Sequence, residues 1–196
     1  DGEPLLCSQL KIFSRAAGSI SVGLHPILRL PDRPGRLQLS AEFDFGLVHP
    51  RHANAVGAME FSRLDAVPIG GRAIDLSHVP VGLANVSVQL CGMRGPLRAT
   101  FLDEAASVEL DWDRDILPSL QIWCTDRGIE GPPWNGAYRG IGVEPIASAF
   151  DLNTALSARS NPINERGIAT AVALIPAEPL VIEHSIRASV GRQGLG

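Results

Sequence analysis

The sequence predicts an all-β fold, a large antiparallel β-sandwich, on three observations. Short apolar segments with a two-residue period recur along the chain, and turn residues separate most of them. The 196 residues include 20 glycines and 15 prolines, which punctuate short strands more readily than long helices. No segment carries the period of a long helix. These features favour a sandwich, or a sheet closed on itself, and the chain length favours one domain over residues 1–196.

The N-terminal part contains the clearest strand pattern. Residues 5–13 alternate weakly, residues 19–30 alternate with one interruption, and the PDRPG sequence at 31–35 predicts a turn. Residues 36–48 predict a single strand, because apolar side chains hold a period of two over five positions, at Leu37, Leu39, Ala41, Phe43 and Phe45. Residues 49–57 are expected to form a loop.

The rest of the chain alternates short strands with loops. Proline and glycine are too frequent in residues 61–80 for a helix. Four further strands are rich in β-branched or aromatic residues and are predicted at 86–91, 97–102, 107–112 and 119–124. Residues 126–140 predict a long loop, and residues 167–190 predict two strands broken at 176–179. Residues 152–160 could form two helical turns, which Pro162 would end.

Composition excludes several classes of partner. The formal net charge of −4 and the absence of a basic cluster argue against nucleic acid and anionic membrane partners. No apolar run approaches the length of a membrane span. Cys7, Cys91 and Cys124 form no CxxC pair and no zinc-ligand spacing, so we expect no metal, buried reduced cysteines and a cytoplasmic location.

Glu144 is the first candidate for chemistry. It lies in the sequence GIGVEPIASAFDLN (residues 140–153), at the end of an apolar run and directly before Pro145. A carboxylate at a strand end beside apolar residues is partly desolvated, which raises its pKa and makes it a usable general base. A surface glutamate that precedes a loop is the alternative interpretation.

His25 is the second candidate. It lies within an apolar segment and precedes Pro26, so its backbone is held extended. An imidazole there is either a hydrogen-bonded core group or a proton donor. His49 and His52 are expected to be solvated in a loop, and His184 is expected to form a surface pair with Glu183. Motifs for nucleophilic catalysis, phosphate binding and metalloproteases are missing.

Two tryptophans are candidates for ligand contact. Trp123 ends a predicted strand, and Trp134 lies in the glycine- and proline-rich loop before Glu144. Aromatic faces at the mouth of a β-sandwich can stack on the C–H faces of sugars. Core packing is the alternative, and it is favoured for Trp112.

Five segments in order extend these observations: HPILRLP at 25–31, VPIGG with AIDL at 67–76, LQIWCT at 120–125, GVEP at 142–145 followed by Asp151 and Asn153, and LIPAE at 174–178. Together they resemble the aldose 1-epimerase (galactose mutarotase) family. The resemblance implies a large antiparallel sandwich, the galactose mutarotase-like supersandwich. It also implies interconversion of the anomers of a free aldose without cofactor or metal.

The resemblance also implies roles for individual residues. Glu144 would take the proton of the C1 hydroxyl, and His25 would protonate the ring oxygen. Candidate contacts to the monosaccharide are Arg29, Asp75, Asn85, Trp123 and Trp134. Arg29 could instead be a solvated strand residue, and Asp75 could only bond turn amides.

Two departures from the family pattern bear on activity. Asn85 stands where the family has an aspartate that holds sugar hydroxyls. The upstream portion of the family is missing, so we expect the chain to correspond to the C-terminal two-thirds of the family fold. Asp1 suggests a processed or truncated product, or only the ordered part of a longer chain. Exposed sheet edges would then need covering, as in a homo-oligomer. A non-catalytic carbohydrate-binding domain and a structural domain of a larger protein are the alternative functions. The sequence leaves the identity of the sugar and its phosphorylation open.

Overall fold

The computed structural model describes residues 4–191. Within these residues the chain is built from short strands, which follow one another as β1 Leu5–Ile12, β2 Gly18–Ile20, β3 Val22–Gly23, β4 Ile27–Leu28, β5 Leu37–Ser40, β6 Phe45–Val48, β7 Glu60–Phe61, β8 Val67–Ile69, β9 Arg72–Ile74, β10 His78–Val79, β11 Asn85–Cys91, β12 Leu97–Phe101, β13 Ala106–Trp112, β14 Ser119–Asp126, β15 Arg139–Ala147, β16 Val172–Leu174 and β17 Leu180–Val190. In residues 4–191 helical structure is limited to the short helices α1 Pro50–Ala53 and α2 Thr154–Ser157 and to 3₁₀ turns at Leu64–Ala66 and Asn164–Arg166. No helix in this part of the chain is long and apolar enough to cross a membrane.

Two large antiparallel sheets make up the architecture. The first has the strand order β1-β17-β13-β12-β5-β10. The second has the order β3-β15-β14-β11-β6-β7, and β4 also pairs with β15 beside β3. Two short ribbons, β2 with β16 and β8 with β9, complete the pairing. The all-β antiparallel sandwich predicted from the sequence is therefore confirmed.

The main core lies between the two sheets. Leu37, Leu97 and Leu110 face it from the six-stranded sheet, and Val88 and Ile122 face it from the seven-stranded sheet. All five side chains are at most 1% exposed. Alternate residues of a strand point to opposite faces of its sheet. In the seven-stranded sheet, the residues that alternate with core positions such as Val88 and Ile122 therefore lie on the face turned away from the main core, which is called the outer face below.

A second, smaller core covers one end of the outer face. Phe45 and Leu47 of β6 pack there against Ala149, Phe150 and Ile163. The segment after β15 therefore folds back over the sheet instead of leaving it in solvent. This second core shapes one wall of the candidate site.

The prediction of one strand over residues 36–48 is wrong in one respect. The structure divides this region into β5 in the six-stranded sheet and β6 in the seven-stranded sheet. Phe43 in the connection stays buried in the main core, so the apolar alternation continues across a change of sheet. The predicted two helical turns over 152–160 reduce to the single turn α2.

The structure also bears on the predictions for the cysteines and for the exposed sheet edges. Cys91 and Cys124 are buried as expected, and burial raises the pKa of each thiol to about 12, whereas Cys7 is exposed on β1. Cys7 belongs to the edge strand of the six-stranded sheet, which carries the exposed Leu6 and Leu10. The expectation that a second copy covers such an edge stays a prediction.

Candidate active site

Glu144 lies on the outer face in the middle of β15. Its neighbours Val143 and Ile141 point into the main core, so the glutamate points the other way. Its side chain is only 13% exposed. Gly142, two residues earlier on the same face, leaves the space that the carboxylate fills, because a Cβ there would lie 2.4 Å from Oε1 of Glu144.

His25 is held against Glu144 by its flanking backbone. It lies between β3 and β4, which both pair with β15. The amide of Leu24 donates to the carbonyl of Pro145, and the amide of Val143 donates to the carbonyl of Pro26. These bonds fix the His25 segment beside Glu144, and Nδ1 of His25 lies 2.9 Å from Oε1 of Glu144. The sequence predicted an interruption at His25-Pro26, and the structure places the imidazole in that gap.

The electrostatics of Glu144 follow from this geometry. Burial raises the pKa of Glu144 above its ordinary value. His25 opposes the rise through its charge and its hydrogen bond, and the negative charge of Asp151 adds to the rise. Glu144 therefore exchanges protons nearer to neutral pH than an exposed glutamate, as a general base requires.

A small cavity lies directly in front of this pair. Its volume is about 250 Å³, somewhat below the roughly 300–1,000 Å³ of sites for drug-sized ligands. The lining is mixed polar and apolar and consists of Ser21, Val22, Gly23, Leu24, His25, Gln121, Glu144, Ile146, Ser148, Phe150, Asp151 and Leu152. A cavity of this size and polarity suits a small hydroxylated ligand.

A larger concavity of about 550 Å³ lies on the six-stranded sheet, near Trp112 and His184. His184 is hydrogen-bonded to Ser8 there, and Glu183 accepts a hydrogen bond from Gln9, so the predicted Glu183–His184 surface pair is not formed. Asp111, also in its wall, is half-exposed and paired with Arg114. Because a largely buried carboxylate beside an imidazole is found at Glu144 and not among the residues that line this concavity, we place the candidate site at Glu144.

An aromatic cluster stands beside the Glu144 cavity. Trp123 lies opposite Gly142 in the register of β14 and β15, on the face that Glu144 occupies. The ring of Tyr138 stacks on Trp123 at 6.3 Å between centroids and contacts Trp134 at 4.6 Å. Trp134 is 44% exposed. The structure thus brings both predicted tryptophans together with Tyr138, which the sequence analysis did not single out, but neither tryptophan is among the residues that line the cavity.

Three predicted sugar contacts lie elsewhere. Arg29 is exposed, pairs with Glu104 and lies 4.8 Å from the ring centroid of Phe101 at the end of β12. Asp75 accepts hydrogen bonds from the amide and hydroxyl of Ser77, which is the turn role left open by the sequence. Neither residue lines the cavity.

Asn85 is the third of these contacts. Its side-chain amide donates to the carbonyl of Gly128 at 2.8 Å, and a Cβ on Gly128 would lie 2.1 Å from that amide nitrogen. Asn85 is therefore packed against the loop after β14 and does not line the cavity. That Asn85 contacts the ligand stays a prediction, and in this structure its amide is bonded to Gly128.

Two residues that the sequence analysis passed over lie at the site. His49 was expected to be solvated, but it is 4% exposed, and its Nε2 lies 2.6 Å from Oδ1 of Asp151 in the cavity wall. The period of Phe45 and Leu47 continues to His49, and this pattern could have placed its side chain on the outer face. Gln121, directly opposite Glu144 on β14, also lines the cavity.

These observations define the class of protein: a two-layer antiparallel sandwich that carries a carboxylate–imidazole pair in a small cavity on one sheet. No family model matches the sequence, and no curated protein matches it. Solved structures do match. The chain has the fold of galactose mutarotase-like proteins, so the fold expected from the resemblance is confirmed.

Three solved structures illustrate the match. A protein from Escherichia coli K12, described as a candidate aldose 1-epimerase, is 18% identical with a TM-score of 0.63 over 96% of this chain and 57% of its own. A galactose mutarotase-like protein from Clostridium acetobutylicum is 12% identical with a TM-score of 0.58, over 95% and 52%. Another from Lactobacillus casei ATCC 334 is 14% identical with a TM-score of 0.55, over 96% and 60%. The chain thus spans between half and three fifths of these structures.

Proposed function

We propose that this chain is an aldose 1-epimerase-like isomerase that interconverts the anomers of a free aldose by acid–base ring opening. The observation that carries the proposal is the 2.9 Å contact between Nδ1 of His25 and Oε1 of Glu144 at the cavity. The likeness of the fold to mutarotase-like structures supports it.

The chemistry of the reaction explains why such a pair is needed. The C1 hydroxyl and the ring oxygen of an aldose are bonded to the same carbon, so the groups that serve them must be neighbours. The Glu144 carboxylate takes the proton from the C1 hydroxyl, the C1–O bond becomes a carbonyl, and the bond from C1 to the ring oxygen breaks. Protonated His25 gives its proton to that oxygen.

Ring closure returns both protons. After rotation about the C1–C2 bond, the hydroxyl formed from the ring oxygen attacks the other face of the carbonyl and gives its proton to His25. Glu144 returns its proton to the carbonyl oxygen, which becomes the C1 hydroxyl again. The raised pKa of Glu144 favours the ring-opening step, because a carboxylate with a pKa nearer to neutral is a stronger acceptor for the C1 hydroxyl proton. The low exposure of Glu144, at 13%, limits competition from water.

The proposed setting of the reaction follows from smaller observations. The cysteines among the described residues are unpaired, which agrees with the reduced cytoplasm. The substrate is a monosaccharide, because the cavity of about 250 Å³ is small.

A carbohydrate-binding domain without catalysis is the second candidate function. It is favoured by the cluster of Trp123, Tyr138 and the exposed Trp134, since aromatic faces can hold a sugar without chemistry. It is also favoured by the position of Asn85, which leaves the cavity without the carboxylate of the family pattern.

Anomer exchange measured by NMR separates the two. The α-anomeric proton of glucose, galactose and other aldoses is saturated, and transfer to the β signal is followed with wild type, with Glu144→Gln and with Glu183→Gln. Glu183 is a matched control because it is a glutamate of the other concavity. The isomerase predicts accelerated exchange that Glu144→Gln abolishes and Glu183→Gln retains. Ligand-induced shifts without acceleration would instead indicate the binding domain.

A further inference from the structure

Asp151 and His49 form a second ionisable pair at the cavity. The side chain of His49 is 5% exposed and that of Asp151 is 53% exposed. Asp151 lies in the cavity wall together with His25 and Glu144. The proposed acid–base reaction uses neither residue of the second pair.

The hydrogen bonds of His49 determine where its proton lies. Its Nδ1 accepts a hydrogen bond from the amide of Arg51 at 3.0 Å, so the ring proton is on Nε2. That proton is donated to Oδ1 of Asp151 over 2.6 Å. The second oxygen of Asp151 has a longer contact, at 3.8 Å, with the guanidinium of Arg51. Oδ1 is thereby tied to the protein, while Oδ2 retains lone pairs for a ligand.

Several buried contacts fix the backbone that precedes Asp151. Phe150 has a φ of 55°, a left-handed conformation that a bulky residue rarely adopts. The side chain of Gln89 accepts from the amide of Phe150 at 2.7 Å and donates to the carbonyl of Ser148 at 2.9 Å. Phe150 is 1% exposed, and its ring packs edge-on against His49. Buried contacts on both sides therefore impose a strained turn that presents Asp151 to the cavity.

Asp151 places a carboxylate in the cavity wall, whereas Asn85 does not. Asn85 lies outside the cavity, with its amide bonded to Gly128. Among the described residues, Asp151 and Glu144 are the carboxylates in the cavity wall. A carboxylate binds a hydroxyl more strongly than an amide does, because the hydrogen bond is charge-assisted.

We propose that Asp151 is a substrate-binding residue whose Oδ2 accepts a hydrogen bond from one sugar hydroxyl, and that His49 is the positioning residue that orients it. This inference rests on the proposed function, since it names a group that selects the substrate at the same site. The ligand class is a polyhydroxylated monosaccharide that carries a hydroxyl within reach of Asp151 when C1 is at Glu144. The effect of the Asp151 charge on the pKa of Glu144 agrees with their closeness.

The test compares Asp151→Asn with Asp44→Asn. Asp44 is a matched control because it is a half-exposed aspartate that also lies near a guanidinium, that of Arg94, but outside the cavity. Binding of an aldose and of its monodeoxy analogues is titrated by NMR shifts, which need no turnover. We expect Asp151→Asn to weaken binding about tenfold, since it removes a hydrogen bond to a charged group. Asp44→Asn should bind like wild type.

The analogues identify the hydroxyl. One monodeoxy sugar, which lacks the hydroxyl in question, should bind to wild type with the same reduced affinity that the parent sugar has for Asp151→Asn. The affinity of Asp151→Asn for this analogue should then be no lower than that of wild type. His49→Phe keeps a ring against Phe150 but cannot donate to Asp151, and we expect it to lose discrimination for the same analogue. Wild-type discrimination in a folded His49→Phe protein would remove His49 from this role.

The outcomes separate this inference from the isomerase. Wild-type affinity in Asp151→Asn for every sugar, alongside normal anomer exchange, would overturn the assignment of Asp151 and leave the isomerase. Absent exchange with the selective loss of affinity would overturn the isomerase and leave Asp151 as a binding residue. Failure of wild type to bind any aldose would overturn both.

Discussion

Replacement of Gly142 by alanine tests the geometry of the Glu144 site with one methyl group. The new Cβ would lie 2.4 Å from Oε1 of Glu144, 3.3 Å from Cδ and 3.4 Å from Cγ. The overlap is therefore with the carboxylate end of the side chain and not with backbone. Because normal contact begins near 3.4 Å, the carboxylate must move by roughly 1 Å.

The same displacement should have unequal effects on activity and stability. A shift of about 1 Å in a catalytic group can reduce the rate by about 100-fold. The free energy of unfolding should change by less than about 1 kcal/mol, because alanine gains about 0.5–1 kcal/mol over glycine in a strand and the displaced carboxylate can rotate away. The backbone of Gly142 is not in the left-handed region, so alanine adds no conformational strain.

Saturation-transfer NMR measures the exchange rate, and urea denaturation measures the free energy of unfolding. Gly18→Ala is the control, because Gly18 also lies in a strand and a Cβ there meets nothing within 4 Å. Exchange in Gly142→Ala at the wild-type rate would refute the reasoning, since the His25–Glu144 contact would then not matter. Unfolding of Gly142→Ala at a much lower urea concentration would also refute it.

Two further predictions concern stability. Glu144 has a raised pKa in the folded protein, so its contribution to the free energy of unfolding is present below its unfolded pKa of about 4.3 and is lost as pH rises through the folded value. Urea denaturation across this pH range should show wild type losing stability relative to Glu144→Gln, and a constant or opposite difference would contradict the raised pKa. Gln89→Ala leaves the buried amide of Phe150 and the carbonyl of Ser148 without their partner, and we expect a loss of about 2–4 kcal/mol in the free energy of unfolding. A loss below about 1 kcal/mol would show that the turn before Asp151 does not depend on Gln89.

The sequence predicted the fold well because its signals are local. Alternating apolar residues and frequent turn residues placed most strands, including β11 to β14 and β17. The change of sheet between β5 and β6 escaped this reasoning, because Leu39 of β5 and Phe45 of β6 keep the same period although they belong to different sheets and pack into different cores. Periodicity reports that alternate residues are buried and does not report which sheet supplies the hydrogen bonds.

The site residues were also predicted best where the signal was local. Glu144 and His25 were predicted from local context and from the resemblance, and the structure brings them together. Arg29, Asp75 and Asn85 were assigned by the resemblance alone, and the structure gives each a different partner.

Asp151 was named only as part of a resembling segment, and its contact with His49 was missed because it spans 102 residues and depends on the segment that folds over the outer face. A polar residue in such a segment looks solvated until its tertiary cover is known. The same reason hides Gln89, whose partners lie about 60 residues away in the chain.

The measurement that tests the central claim most directly is anomer exchange in His25→Asn, in Glu144→Gln and in the protein that carries both changes. Acid–base catalysis by one pair predicts that each single change lowers the exchange rate by about 100-fold or more, and that the double change lowers it no further, because the two groups act as a unit. Sugar-induced shifts should persist in all three proteins. Exchange that survives either single change, or losses that multiply in the double variant, would contradict the assignment of His25 and Glu144 as acid and base.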